Sequence, residues 1–116
     1  MEIRVKRIYD ERDAGDGTRV LVDRLWPRGV RKDDPRIDAW VKAVAPSNEL
    51  RTWFHRDLSK FEEFARRYRA ELDENPEAVE ELLSHVDGHT LTLLYASKDT
   101  ERNHAAVLAE YLRGQE

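Results

Sequence analysis

Val20-Leu21-Val22-Asp23-Arg24-Leu25-Trp26-Pro27-Arg28-Gly29 decides how this chain is read. Consecutive apolar residues suit a strand buried on both faces, as in the middle of a sheet covered by helices. The strand then delivers an acid, two arginines and a Trp-Pro-Arg-Gly turn at one end. Buried strands seldom end in so much chemistry, so a functional site is expected beyond Val22.

Working outward, Ile3 to Tyr9 reads as a first strand with some alternation. Asp13-Ala14-Gly15-Asp16-Gly17 is a turn, since Gly and Asp tolerate positive φ. Four helices are expected next. Asp33 or Asp34 caps the first, with Pro35 in its first turn and Ile37, Trp40, Val41 and Val44 on one face. Ser47 opens the second, which carries Leu50, Trp53 and Phe54. Ser59-Lys60-Phe61-Glu62 reads as a capping box for the third. Its stripe is Phe61, Phe64, Ala65, Tyr68 and Leu72, with Arg66, Arg67 and Glu71 on a solvated face. Asn75-Pro76 starts the fourth, and Asp87-Gly88 ends it. Thr90 to Ala96 is the third strand, and Asp99 or Thr100 caps a last helix.

The expected fold is therefore α/β: a small three-layer domain with a mostly parallel sheet, in the order β-β-α-α-α-α-β-α. Strands two and three are joined through helices, which suits a parallel pair. The short connection between strands one and two allows either a hairpin or an abbreviated parallel crossover. Residues 1–116 are read as a single domain, enough for one core.

Composition narrows the function. With 20 Lys and Arg against 24 Asp and Glu, the net charge of −4 argues against a nonspecific DNA binder. The last helix is acidic at Glu101 and Glu110, and no basic recognition helix stands out, so a DNA-binding regulator is disfavoured. There is no cysteine, which removes thiol nucleophiles and disulfides. No apolar run approaches the ~20 residues of a membrane span, and Met1 to Lys6 has no signal-peptide core. A cytoplasmic protein is expected. No P-loop, dinucleotide fingerprint, nucleophile elbow or H-E-x-x-H spacing is visible, so neither a cofactor nor a metal is expected. Oligomeric state has no signal.

In an open parallel sheet, ligands bind beyond the carboxyl ends of the strands. Strand two ends at Asp23, Arg24, Trp26 and Arg28. Strand three ends at Tyr95, Lys98 and Asp99, with Asn103 and His104 in the first turn of the next helix. The expected catalytic set is Asp23 as base or nucleophile, His104 as proton shuttle, and Asp99. Arg24, Arg28, Lys98 and Asn103, aided by the helix N-terminus, would hold an anion. Trp26, Trp53, His55 and Tyr95 would wall the pocket. Competing structural roles are an ion pair for Asp23, an N-cap for Asp99, a solvated ring for His104, a helix-end charge for His55 and a cover over the sheet edge for Trp26.

Arg19 to Gly29 resembles the signature of the YeaO-like proteins, a bacterial family of unknown function. Ala45-Pro-Ser-Asn-Glu-Leu-Arg-Thr-Trp-Phe-His55, Phe64 to Leu72 and Leu93-Leu-Tyr-Ala-Ser-Lys-Asp99 do so as well, so the likeness covers nearly the whole chain. A more distant branch of that superfamily has a strand ending V-D-V-R-x-x-P and a later A-E-K-D-P-x-x-C-H-R. Asp23, Pro27, Lys98, Asp99 and His104 stand at matching positions. Tyr95 and Asn103 replace that branch's cysteines, and Ala105 replaces its arginine, so no thiol or Cys/His metal chemistry carries over. The resemblance implies a parallel first strand and a three-layer shape, and it brings no activity.

Two functions follow as expectations. One is a small enzyme acting hydrolytically on a phosphorylated or nucleotide-like metabolite. The other is a noncatalytic module that captures a small anion or a partner segment at the same rim.

Overall fold

The computed structural model describes residues 1–115. Four parallel strands form the sheet in the order β1-β4-β2-β3, where β1 is Glu2–Arg7, β2 Thr18–Leu21, β3 Ala39–Trp40 and β4 Thr90–Tyr95. The α/β class and the parallel sheet are as expected. The first strand joins neither by hairpin nor beside β2. It pairs with β4, from Glu2 opposite Thr90 to Arg7 opposite Tyr95.

Strand alternation divides the interior in two. Ile3, Val20, Val22, Leu91, Leu93 and Tyr95 face the main core. That core also holds Leu50 and Phe54 of α1 (Asn48–His55), Phe64, Tyr68 and Leu72 of α2 (Phe61–Asp73), Ala78 and Leu82 of α3 (Pro76–Ser84), and Val107, Leu108 and Leu112 of α4 (His104–Gly114). Ile8, Leu21 and Leu94 turn the other way, toward Val30, with Trp26, Ile37 and Trp40 packed against them. The three layers are thus the helices, the sheet, and the segment from Trp26 to Trp40.

That segment corrects the expected first helix. Ile37, Trp40, Val41 and Val44 mimic a helical stripe, but Ile37 and Trp40 pack in one cluster and Val41 and Val44 in the other. The chain passes from one face to the other at the sheet edge, which a single helical face cannot do. β3 pairs with Val20 and Leu21, and a 3-10 turn at Lys42–Val44 follows. The residues are β-branched or aromatic and lie between Pro35 and Pro46, so the sheet edge outweighs a weak helical preference.

Two caps also differ. Ser59 does not cap α2. Its N–H and hydroxyl both donate to Asp57, which caps a 3-10 turn at Leu58–Lys60, and α2 starts at Phe61 without a side-chain cap. α4 starts at His104, not near Thr100. Asp99 accepts the N–H groups of Glu101 and Arg102 in a separate turn, and Asn103 caps the helix by accepting from Ala106 N–H at 2.8 Å. At α1 the expected cap is found: Ser47 accepts from Leu50 N–H. Glu71, expected in a solvated face, instead reaches across from α2 to accept from the N–H and hydroxyl of Ser47, at 2.9 and 2.6 Å.

A buried ion pair fixes the strand opposite to the site. Arg19 and Asp16 are fully buried and meet at 2.6 Å. Arg19 donates further to the carbonyls of Arg36, Asp10 and Glu11. Asp16 also takes Lys6 at 3.0 Å and the N–H of Asp13. Burial alone would raise the Asp16 carboxyl; the Asp13 N–H, Lys6 and Arg19 outweigh it and hold the group well below the usual carboxylate range. Gly17 follows at φ +64°, and a Cβ there would lie 2.3 Å from the Thr90 carbonyl oxygen.

Candidate functional site

Past Leu21 the ladder of β2 continues only through Val22 N–H, which bonds Leu94 O at 3.1 Å. Asp23 then ties the strand ends together. Its Oδ2 accepts from Ala96 N–H at 3.0 Å, and its carbonyl accepts from Trp40 Nε1 at 2.7 Å. Arg7, on β1, donates to the carbonyls of Ala96 and Ser97 and holds the end of β4 from the other side. The carboxyl ends of β2 and β4 therefore open on one rim, as the parallel sheet requires.

A cleft of about 660 Å³ lies over this rim. It brings together Asp23, Arg24, Trp26, His55, Lys98, Asp99, Asn103 and His104 from the expected set. Three expected residues are outside its lining. Arg28 is exposed in the turn, and its carbonyl accepts from the Tyr9 hydroxyl. Tyr95 is buried in the main core, where burial pushes its hydroxyl up. Trp53 lies on another face of α1, with Arg67 4.3 Å and Lys60 5.4 Å from its ring.

His104 occupies the first position of α4. Its Nε2 is 3.0 Å from Asp23 Oδ1 and 3.1 Å from the Val22 carbonyl. Both neighbours accept, so Nε2 carries a proton. The aligned hydrogen bond goes to Val22, and Asp23 Oδ1, sealed from solvent, keeps the same ring nitrogen as its neighbour. Behind His104 lies Tyr68, ring edge to ring face at 6.4 Å, with its hydroxyl bonded to Val44 O at 2.6 Å. Burial, then the charges of Glu71 and Asp23, push that hydroxyl up strongly.

The cations differ in how far they are already engaged. Arg24 donates to the carbonyls of Pro46 and Ala45, so its guanidinium spans α1's entry segment. Arg102 pairs with Asp99 at 3.1 Å. Asp99 is held low, first by the N–H groups of Arg102 and Glu101. Arg51 has only a 3.4 Å contact to Asn48, and its Nε is buried without a hydrogen bond. Lys98 is exposed and has no ion pair among the described residues. Asn103 is spent on structure, capping α4 and donating to Asp99 O.

Arg51, Phe54 and Leu58 also line the cleft, with Phe64 behind them. The sequence carries a signal for three of them beside His55. Arg51, Phe54, His55 and Leu58 are spaced i, i+3, i+4 and i+7, one helical stripe of mixed chemistry. Burial, then the charges of Arg51 and His104, hold His55 below the usual histidine range. Trp26 also lines the cleft. Its Nε1 donates to Val30 O at 2.7 Å, its ring meets Trp40 edge-on at 5.3 Å, and the Lys32 ammonium lies 4.5 Å from its centre.

Among the described residues, no group of three or more His, Asp or Glu is placed to hold a metal ion, and no helix is long and apolar enough to cross a membrane. The cleft can offer cationic donors from Arg51 and Lys98 and apolar surface from Leu25, Phe54 and Leu58.

A protein-family model described as the inactive DUF488-N3 subclade matches residues 2–115. An uncharacterized protein of Mycobacterium tuberculosis is 48% identical over 113 residues, covering 97% of this chain and 95% of its own. An uncharacterized protein of Mycobacterium bovis gives the same figures. The uncharacterized protein YeaO of Escherichia coli is 45% identical over 113 residues, covering 97% of this chain and 98% of its own. No solved structure matches the chain.

Proposed function

Because the chain belongs to the DUF488-N3 subclade described as inactive, we propose that its rim cleft binds a small anionic ligand without turning it over. One observation carries this reading: Arg51 and Lys98 line the same cleft, and neither has an ion pair among the described residues. Two uncompensated cations on one cleft attract an anion. The "inactive" description of the family supports binding over catalysis.

In this reading Arg51 and Lys98 meet the anion, Arg24 and Asn103 hold the frame, and Trp26 and His55 form walls. Nucleic acid and membranes are not the expected partners. The family match across residues 2–115 supports treating the chain as one domain. A cytoplasmic site of action rests on the sequence alone.

The test is a calorimetric titration with benzoate, inorganic phosphate, ribose 5-phosphate and AMP. Binding of at least one, weakened by Arg51→Gln, is expected. If none binds at millimolar concentration, the reading is wrong.

The 3.0 Å approach of His104 to Asp23 favours a second reading, hydrolysis of a phosphorylated or nucleotide-like metabolite with Asp23 and His104 as base and shuttle. Product release from AMP or ribose 5-phosphate, abolished by His104→Gln, would select it.

A further inference from the structure

Resting on the reading of this cleft as an anion site, we propose that its ligand is an amphipathic small anion, one compact anionic head on an apolar body of several carbons. A bare inorganic ion and a polyanion both leave part of the cleft unmatched. At about 660 Å³ the cleft is of small-molecule size. It has room for roughly twenty waters at ~30 Å³ each, far more than one bare ion fills.

Five large hydrophobic side chains are left exposed among the described residues, and two of them, Leu25 at 62% and Leu58 at 43%, line this cleft. They come from separate segments, the stretch that follows β2 and the 3-10 turn that follows α1. Phe54 and Phe64 line the same cleft and stack on each other at 4.3 Å between centroids. Single exposed apolar side chains are ordinary, whereas apolar surface gathered on one concavity marks a place that something covers. Covering it takes apolar area out of water, and the gain grows with each methylene of the occupant.

The charged side chains set the head. Arg24 is bonded to the carbonyls of Ala45 and Pro46, and Arg102 is paired with Asp99. Arg51 and Lys98 are the two lining cations left for a ligand. Arg24, Arg51, Lys98 and Arg102 outnumber Asp23 and Asp99 in the lining by two. A surplus of that size suits one compact head and not a polyanion, which the two carboxylates would repel. No donor is required of the body, because Asp23 Oδ1 is sealed beside His104 Nε2. Charge at Arg51 and Lys98, with apolar area at Leu25, Phe54 and Leu58, is the whole of the recognition.

Hexanoate is the probe, and two controls each remove one half of it. Acetate keeps the head without the chain, and 1-hexanol keeps the chain without the charge. Inorganic phosphate serves as a second bare anion. Affinities come from amide-shift titrations of the full chain by NMR at pH 7. Hexanoate should bind at least about tenfold more tightly than acetate, since each fully buried methylene is worth about fourfold and two suffice. It should exceed 1-hexanol by at least about tenfold, the range for a lost charged hydrogen bond. Leu25→Ser combined with Leu58→Ser alters two exposed positions, so the protein should melt near the wild type and bind hexanoate about tenfold more weakly. Acetate or phosphate binding as tightly as hexanoate would overturn this inference and leave the anion reading standing. 1-Hexanol binding as tightly would overturn both, because charge would then contribute nothing. Unchanged hexanoate affinity in the double variant would overturn the inference, because the chain would then lie elsewhere. If hexanoate fails to bind at millimolar concentration the inference is wrong, and phosphate binding in the same series would leave the anion reading standing.

Discussion

His104 Nε2 stands 3.0 Å from Asp23 Oδ1 but gives its hydrogen bond to the Val22 carbonyl. The other oxygen of the acid is committed to Ala96 N–H. Asp23 thus has two halves. The Oδ2 half joins β2 to β4, and the buried Oδ1 half faces His104.

The two halves separate by mutation. Asp23→Ala removes the acceptor for Ala96 N–H and should destabilise the fold by about 1–3 kcal/mol. Asp23→Asn keeps an oxygen for Ala96 and should cost less than half as much. Urea denaturation of the two variants measures the difference. Equal losses would mean that the Ala96 bond contributes nothing.

Breaking the Asp16–Arg19 pair should be the most damaging change in the chain. Asp16→Asn or Arg19→Met strands a buried charge, which costs about 3–5 kcal/mol. The pair also gives the fold an acid limit. Asp16 is depressed in the folded state, so its contribution is complete above the ordinary aspartate range near pH 4 and is lost as pH falls below it. Wild-type stability should fall on acidification from pH 4 to pH 2, and that slope should flatten in Asp16→Asn.

Gly17→Ala should cost more than the ~1–3 kcal/mol of holding a residue in a sparsely populated backbone region, since φ +64° with ψ −134° suits glycine alone. The added Cβ meets the Thr90 carbonyl oxygen at 2.3 Å, and that oxygen is backbone at the start of β4, which cannot swing aside. A loss measured by thermal unfolding below that figure would show that the turn can shift.

His55 should report the ligand. Burial and the positive charges of Arg51 and His104 hold it low in the free protein. An anion at Arg51 offsets that charge and should raise it, so binding takes up protons and tightens as pH falls through the bound-state midpoint. The imidazole resonances of His55, followed by NMR with and without benzoate, should move to a higher midpoint with ligand.

The sheet and the rim were legible because burial forces a pattern on strands. Val20-Leu21-Val22 and Leu93-Leu94-Tyr95 are buried on both faces and so carry apolar runs, and a parallel pair has to open at one end. The segment from Asp33 to Val44 was misread because its apolar spacing fits a helix and an edge strand that crosses between two clusters. Arg19 lies in β2, yet nothing local marks a cation as buried when its partners, Asp16 and the carbonyls of Asp10 and Arg36, lie outside the strand and fold around it. Arg51 was passed over for a related reason. Its neighbours Ser47, Trp53 and Phe54 explain the helix without it, and only the packing of α1 beside Asp23's rim turns its stripe toward a cleft.

Isothermal titration of the tightest-binding anion among benzoate, inorganic phosphate, ribose 5-phosphate and AMP into the wild-type protein and into Arg51→Gln tests the central claim most directly. Glutamine keeps the helix of α1 and removes the guanidinium, so the variant should melt near the wild type. The account predicts an affinity loss of at least about tenfold, the range for a lost charged hydrogen bond. Unchanged affinity in a folded Arg51→Gln would contradict it.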